Sequence, residues 1–325
     1  MDERATAPRI RGFRCWPSPC SCEVVTLPRC VIPGATYLVT RRCSQRGYFL
    51  RPSEETNEIF SYALAVAAER TGVEVHVAVM MSNHWHGVVT DPRGELPKFF
   101  HIMHRLIANP MNALLGRCES FWSSHEPSAV ALEDPDDVLD KMAYVIANPT
   151  QAGLVEEPSE WPGFITTTMR EMIEARRPRV YFRAGGARMP ELVQLSCTIP
   201  PVLREAGDEE VEKELHRRVG VRVAAAKRRV VERGEAFLGA EAVLQVSPWG
   251  QPSTLEPRGE RRPSVAARNA TLREKMIRKL TSFRQAYRNA LDRWKAADRS
   301  VVFPFGTYLM CHLHRVCCGP PLWVS

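Results

Sequence analysis

The chain has 325 residues, of which 44% are hydrophobic and 25% are charged, and its formal net charge is +7. This composition is typical of a folded, soluble protein with one large domain or two ordinary ones. No apolar run approaches the roughly 18 residues of a membrane span, which predicts a cytoplasmic protein without a membrane partner, and the basic balance favours a polyanionic partner.

The composition of the first residues and the positions of the cysteines predict the character of the two ends of the chain. Residues 1–28 are broken up by charge and proline, and we expect a poorly structured extension there. The ten cysteines cluster near both termini without a pair of CxxC motifs at zinc-ribbon spacing. Free thiols in a reducing cytoplasm are the favoured interpretation. The alternative is a zinc site formed by Cys15, Cys20, Cys22 and Cys30.

The pattern then alternates between strand and helix. ATYLVTRRC predicts a strand, and SEETNEIFSYALAVAAERTG predicts a helix that Ser53 caps and Gly72 ends. VEVHVAVMM and HWHGVVT predict a β-hairpin around the turn Ser82-Asn83. On the first strand of this hairpin we expect four valines to share one face: Val73, Val75, Val77 and Val79.

Two further helices complete the predicted domain. One lies in ELPKFFHIMHRLIANPMNALLGR, and the other, in DPDDVLDKMAYVIANP, is capped by Asp134 or Asp136 and ended by Pro149. The order strand, helix, strand, strand, helix, helix predicts an α+β domain with an antiparallel sheet. The resulting segments are a domain at residues 29–175, a Pro- and Arg-rich linker at 176–200 and a mainly helical, basic region at 201–325.

The two histidines of the predicted hairpin point to metal chemistry. In a strand, residues i and i+2 project from the same face, so His84 and His86 are close enough to share one metal ion. The alternative is that the two histidines are ordinary polar residues on an exposed strand face, and the HxH pattern by itself favours that alternative.

A second pair of residues extends this possibility. Tyr144 and Asn148 are four positions apart on a predicted helix, so they share one helical face. The asparagine carbonyl oxygen suits Mg²⁺ or Mn²⁺. Alternatively, Tyr144 is half-buried core and Asn148 is a C-cap before Pro149.

These motifs together carry a resemblance to a known family. IPGATYLVTRR, MSNHWHGVV, MAYVIANPTQAGLV and WPGF occur in an order and spacing that resemble the single-tyrosine HUH transposases, especially the REP-associated tyrosine transposase branch. The resemblance covers roughly residues 30–165. It implies a ferredoxin-like antiparallel sheet with helices on one face, the HUH endonuclease fold, followed here by the mainly helical region.

The resemblance also implies an activity. It implies a single-stranded DNA endonuclease and strand transferase in which Tyr144 is the nucleophile and forms a 5′-phosphotyrosine intermediate. His84, His86 and Asn148 would hold the Mg²⁺ or Mn²⁺ ion. Trp85, the hydrophobic residue between the histidines, should face away from the metal into the core.

The same resemblance implies a homodimer that acts on single-stranded DNA with hairpin-containing ends and associates with the nucleoid. We expect DNA contacts from the basic groups of Arg41, Arg42, Lys98, His101, His104 and Arg105. The basic face of a helix predicted at 271–294 is a candidate for holding a hairpin stem, with a structural or oligomeric role as the alternative.

Two other functions stay open on the sequence. One is a domesticated DNA-binding protein of the same fold with little or no cleavage activity. The other is a metal-dependent phosphoesterase in which Tyr144 is structural. The segment SFWSSHEPSAVALED departs from the aromatic, basic stretch of the resembling family, and His125 within it has no assigned role.

Overall fold

The computed structural model describes residues 28–181, 189–253 and 263–320. The strands and helices are, in chain order, β1 (Ala35–Arg42), α1 (Glu54–Thr71), β2 (Glu74–Met81), β3 (His84–Asp91), α2 (Leu96–Leu114), β4 (Ser128–Leu132), α3 (Pro135–Ile146), α4 (Asn148–Gln151), β5 (Met172–Arg176), β6 (Leu192–Ser196), α5 (Asp208–Glu232), α6 (Ala240–Gln245), α7 (Ala270–Lys295) and α8 (Leu309–His314).

The larger sheet has four strands in the order β2-β3-β1-β4, and each neighbouring pair is antiparallel. Strand β3 is inserted between β1 and β2, which is the split βαβ arrangement of a ferredoxin-like fold. The predicted α+β class and antiparallel sheet are therefore confirmed. Strand β4, an element not predicted from the sequence, lies in the segment SFWSSHEPSAVALED and completes the sheet.

Helices α1 and α2 pack on the sheet face that carries Trp85. The Ser53 side chain caps α1 by accepting a hydrogen bond from the Thr56 amide at 3.1 Å, and Gly72 ends it at φ 74°. The core on this face includes the fully buried side chains of Val39, Phe60, Leu64, Trp85, Phe99 and Met103. Trp85 therefore faces away from the histidine side of β3, as predicted.

The opposite sheet face is covered by α3, and α5 packs against α3 from outside. The Asp134 side chain caps α3 by accepting the Asp136 amide hydrogen at 2.8 Å. The prediction of helices on one face of the sheet is therefore correct for α1 and α2 but incomplete, because α3 covers the other face. The second core includes the buried side chains of Val77, Val79, Val88, Met142, Val145 and Leu215.

A β-bulge in β2 overturns one prediction about its valines. The register with β3 shifts between Val75 and Val77, where His76 is the extra residue. An extra residue reverses the direction of the following side chains. Val75 consequently packs in the core with α1, whereas Val77 and Val79 pack in the core with α3. The prediction of one shared face is wrong for this reason.

The segment predicted as a linker contains a packed element. Strand β6, within residues 176–200, pairs antiparallel with β5, and both strands contact α1. Buried apolar side chains such as Val193 and Leu195 fix this small sheet to the core, so this part of the segment is not a linker. The predicted domain boundaries themselves stay predictions.

The region after residue 200 is mainly helical, as predicted. Helix α7 buries Met276 and Phe283, and its C-terminal half packs with Phe303. No helix within the described ranges combines the length and the apolarity that crossing a membrane requires.

The cysteines only partly follow the prediction of free thiols. Cys311 and Cys318 form a disulfide, so the prediction is wrong for these two. The free cysteines of the described ranges are Cys30, Cys43, Cys118, Cys197 and Cys317. Residues 1–27 lie outside the described residues, and with them the predicted extension and three cysteines of the alternative zinc site.

Candidate functional site

His84 and His86 lie at the start of β3 on the sheet face that α3 covers. In the register with β1, His86 is opposite Thr40 and His84 is opposite Arg42. The two imidazole rings are 4.6 Å apart between centroids and nearly perpendicular. The period of two in a strand thus brings the two rings together, as the sequence predicts.

One nitrogen of each imidazole is held by a neighbouring side chain. His84 Nδ1 lies 2.6 Å from Asn83 Oδ1, and the Asn83 amide nitrogen donates to the Arg46 carbonyl at 3.2 Å. His84 Nδ1 is therefore the donor, and Nε2 carries the lone pair. His86 Nδ1 lies 2.7 Å from Thr40 Oγ1. This arrangement, in which a polar group orients the ring from behind, is typical of metal-binding histidines.

Both imidazoles favour the neutral form. Burial lowers the pKa of His84 to about 4, with smaller contributions from the positive charges of Arg42 and Arg46. Burial also lowers the pKa of His86 well below its ordinary value, helped by His84 and Arg42. The neutral imidazole is the form that binds a metal ion.

Tyr144 projects from α3 onto the same histidine pair. Its half-buried ring lies 5.5 Å from the His86 ring, centroid to centroid, at an interplanar angle of 72°. Asn148 is one helical turn further on and is 7% exposed. Helix α3 ends at Ile146, earlier than predicted, and Pro149 occupies the first turn of α4, where a missing amide hydrogen costs nothing.

Arg222 is a residue beside Tyr144 that the sequence does not predict. It belongs to α5, and its guanidinium carbon lies 5.9 Å from the centroid of the Tyr144 ring. Its Nη2 donates to Asp140 Oδ1 at 2.6 Å. Burial alone would raise the pKa of Asp140, but the hydrogen bond and charge of Arg222 lower it overall. The only sequence signal was a basic helical pattern, which does not say what the helix contacts.

Of the two arginines predicted on β1, the structure brings one to the histidine face. Arg42 is the cross-strand neighbour of His84. Arg41 points to the other face, where its guanidinium donates to the carbonyls of Ser123 and His125. The alternation of a strand separates these two neighbours, so Arg42 alone is placed beside the histidines.

The four candidates on α2 are placed differently from the prediction. Helix α2 packs on the Trp85 side of the sheet, and the exposed residues Lys98, His101 and Arg105 are therefore across the sheet from the histidines. His104 is buried, accepts the Trp85 indole hydrogen at Nε2 (3.3 Å), and stacks on Phe100. A solvent-facing role for His104 is ruled out by this burial.

His84 and His86 on β3 and Asn148 at the start of α4 are donor types that a divalent cation accepts. Within the described ranges no three His, Cys, Asp or Glu side chains form a metal-binding group. A metal here would consequently need a third ligand of another type. The carbonyl oxygen of the buried Asn148 is of the hard type that Mg²⁺ and Mn²⁺ accept, and imidazole binds several divalent metals.

Comparisons with known proteins give only weak likenesses. No family model and no curated protein matches the chain. A REP-associated tyrosine transposase bound to a REP hairpin is 17% identical over 48% of this chain and 82% of its own, with a TM-score of 0.36. A candidate transposase from Deinococcus radiodurans R1 is 13% identical over 33% and 85%, with a TM-score of 0.25.

A further solved structure, the tRNA(His) guanylyltransferase from Saccharomyces cerevisiae, is 9% identical over 40% of this chain and 68% of its own, with a TM-score of 0.30. Likenesses of this size to proteins with such different activities do not assign a function to the chain. The functional conclusion therefore depends on the site itself.

Proposed function

We propose that this protein is a metal-dependent, single-stranded DNA endonuclease and strand transferase, a DNA transposase of the HUH type. The observation that carries the proposal is the placement of the Tyr144 ring 5.5 Å from the ring of His86, which is itself paired with His84. The proposed substrate is single-stranded DNA with hairpin-containing ends, and the proposed acting form is a homodimer associated with the nucleoid.

Tyr144 is the proposed nucleophile. Its phenolic oxygen attacks the phosphorus of a DNA phosphodiester, forming a Tyr–O–P bond while the bond from phosphorus to the 3′ oxygen breaks. The phenolic proton passes to water, and the departing 3′ oxygen takes a proton from water to become a 3′-hydroxyl. Because a phenol is a better leaving group than an alkyl alcohol, a second 3′-hydroxyl can reverse the step and join a new end without ATP.

His84, His86 and Asn148 are the residues that would hold Mg²⁺ or Mn²⁺. The ion supplies charge neutralisation and orientation at the phosphate oxygens when it is bound. The protein prepares this site by orienting both imidazoles: Asn83 accepts from one ring, and the Thr40 hydroxyl holds the other. The Trp85 side chain is buried on the opposite face of β3, and its packing holds the strand segment that carries both histidines.

A covalent adduct tests the proposal. The full chain is incubated with a pool of single-stranded hairpin oligonucleotides with randomised flanks and Mn²⁺, and a denaturing gel is examined for a protein–DNA band. Wild type should form the band, Tyr144→Phe should form none, and His84→Ala should lower its rate by at least about 100-fold. Tyr308→Phe is the matched control and should behave as wild type, because Tyr308 stacks on His312 near Asp91, at the opposite end of β3 from the histidines.

The other outcomes identify the alternatives. DNA binding without a band from wild type would contradict the nuclease and favour a domesticated DNA-binding protein. Cleavage by Tyr144→Phe without an adduct would favour a phosphoesterase in which the tyrosine is structural. Equal adduct formation in EDTA and in Mn²⁺ would contradict the metal requirement.

A further inference from the structure

Helix α5 is joined to α3 by two arginine–aspartate pairs one turn apart. Arg218 pairs with Asp136, and Arg222 pairs with Asp140 at 2.6 Å. Both arginines are four residues apart on α5, and both aspartates are four residues apart on α3, so the pairs form successive steps of one ladder.

The two arginines differ in how their nitrogens are used. Arg218 donates from Nε to Glu214 at 2.7 Å, from Nη1 to the Asp136 carbonyl at 2.9 Å, and from Nη2 to the Asp136 carboxylate. Arg222 makes a single hydrogen bond to the described residues, through Nη2 to Asp140. Its Nε and Nη1 donors are therefore open to a ligand, and its side chain is 26% exposed.

The open donors belong to a guanidinium that lies beside the candidate nucleophile. The Arg222 guanidinium lies over the Tyr144 ring, one turn beyond Asp140 on α3. Lys141 Nζ also lies 3.7 Å from Asp140 Oδ2, so this carboxylate is shared between two cations and does not neutralise both of them. The free Nε and Nη1 hydrogens lie on different edges of the guanidinium, and each is suited to donate one charge-assisted hydrogen bond to a phosphate oxygen.

We propose that Arg222 binds a backbone phosphate of the single-stranded DNA next to Tyr144, and that Asp140 is the positioning residue that aims it. The inference rests on the proposed function of this site. It assigns to α5, outside the part of the chain that carries the sequence motifs, a direct contact with the substrate. It also predicts that Arg218, one step away on the same ladder, makes no such contact.

The salt dependence of DNA binding separates a phosphate contact from a structural role. Binding of a fluorescein-labelled 20-nucleotide oligothymidylate is measured by fluorescence anisotropy between about 50 and 300 mM NaCl. This range brackets the physiological ionic strength of roughly 150 mM. Each phosphate contact to a single strand contributes about −0.7 to the slope of log K against log salt. Arg222→Gln should therefore flatten the slope by about 0.7, Arg222→Lys should restore most of it, and Arg218→Gln should leave it unchanged.

Adduct formation gives the second measurement. With an oligonucleotide recovered from the wild-type adduct, Arg222→Gln should form the adduct about 10-fold or more slowly, and Arg218→Gln at the wild-type rate. Asp140→Asn should act in the same direction as Arg222→Gln. Urea unfolding is the control for folding: the Arg222 variants should have the same unfolding midpoint as Arg218→Gln.

The outcomes keep the two proposals apart. If wild type forms the adduct and Arg222→Gln matches Arg218→Gln in both slope and rate, the phosphate contact is overturned while the nuclease stands. If wild type forms no adduct but Arg222→Gln alone flattens the slope, the DNA contact stands and the nuclease is overturned. If wild type does not bind the oligonucleotide, both proposals are overturned.

Discussion

Each histidine of the β3 pair is oriented by one polar neighbour, and this makes the pair sensitive to residues that would not touch the metal. His86 depends on the Thr40 hydroxyl at 2.7 Å, delivered by the adjacent strand β1. A histidine ring without such a partner can rotate and change its tautomer, which weakens a metal ligand without removing it. The strand register, rather than the motif alone, sets the geometry of the site.

Thr40→Val should therefore weaken Mn²⁺ binding by about 10- to 100-fold, the range usual for loss of such an orienting partner. Isothermal titration of the full chain with MnCl₂ measures this directly. Thr36→Val is the matched control: Thr36 lies on the same face of β1 but bonds Thr90, at 2.8 Å. Equal Mn²⁺ affinities for the two variants would show that Thr40 has no part in the site.

At the same scale, local periodicity predicts which of the candidate residues share a face, and the structure brings the rings of His84, His86 and Tyr144 together, whereas the part of Asn148 in the site stays a prediction. The spacing of His84 and His86 follows from the strand repeat of two, and that of Tyr144 and Asn148 from the helical repeat. Arg222 was not predictable, because the packing of α5 on α3 depends on pairing between segments far apart in the chain. His104 was misplaced because its helical position does not reveal the aromatic cluster that buries it.

At the scale of elements, the strands β2 and β3 have two covered faces, and this explains the errors about α2. Both strands are buried from their second residue onward, so their sequences show no clear polar side. Alternation then reveals which residues share a face but not which helix covers that face. The bulge at His76 adds a second difficulty, because it exchanges the two faces within one strand.

The bulge also places an uncharged histidine in the interior of the fold. His76 is fully buried, with Nδ1 2.7 Å from the Thr198 carbonyl and Nε2 2.7 Å from Thr90 Oγ1. Burial lowers its pKa to about 4, against which the hydrogen bond to Thr198 acts in the raising direction. The unfolded chain then binds a proton at this residue below about pH 6.5, whereas the folded protein does so only near pH 4.

The free energy of unfolding should consequently fall as the pH falls from about 6.5 towards 4. Between pH 7.5 and pH 5, His76 alone accounts for about 2 kcal/mol of the loss, at about 1.4 kcal/mol per pH unit. Urea unfolding of His76→Gln and wild type at both pH values checks this: the variant should lose about 2 kcal/mol less on acidification, whatever its stability at pH 7.5. Identical losses would contradict the prediction.

At the scale of the whole molecule, the region after residue 200 shares a core with the ferredoxin-like sheet. Leu215 of α5 is fully buried in the same cluster as Val79 of β2 and Met142 of α3. The ladder of Arg218 and Arg222 lies along this interface. A continuous core of this kind predicts that α5 and the sheet unfold together, although the sequence indicates separate segments.

Leu215→Ala tests this coupling, because it removes buried methyl groups at the shared core and should lower stability by about 2–5 kcal/mol. Amide hydrogen exchange followed by mass spectrometry reports the loss separately for peptides from α5 and from β3. If the two elements unfold as one unit, slowly exchanging amides in both should lose protection to the same extent. Val231→Ala, at a side chain 77% exposed on the same helix, should leave both peptides within about 0.5 kcal/mol of wild type. Loss of protection confined to α5 would instead show that the sheet folds on its own, and that α5 brings Arg222 to Tyr144 as a separately stable element.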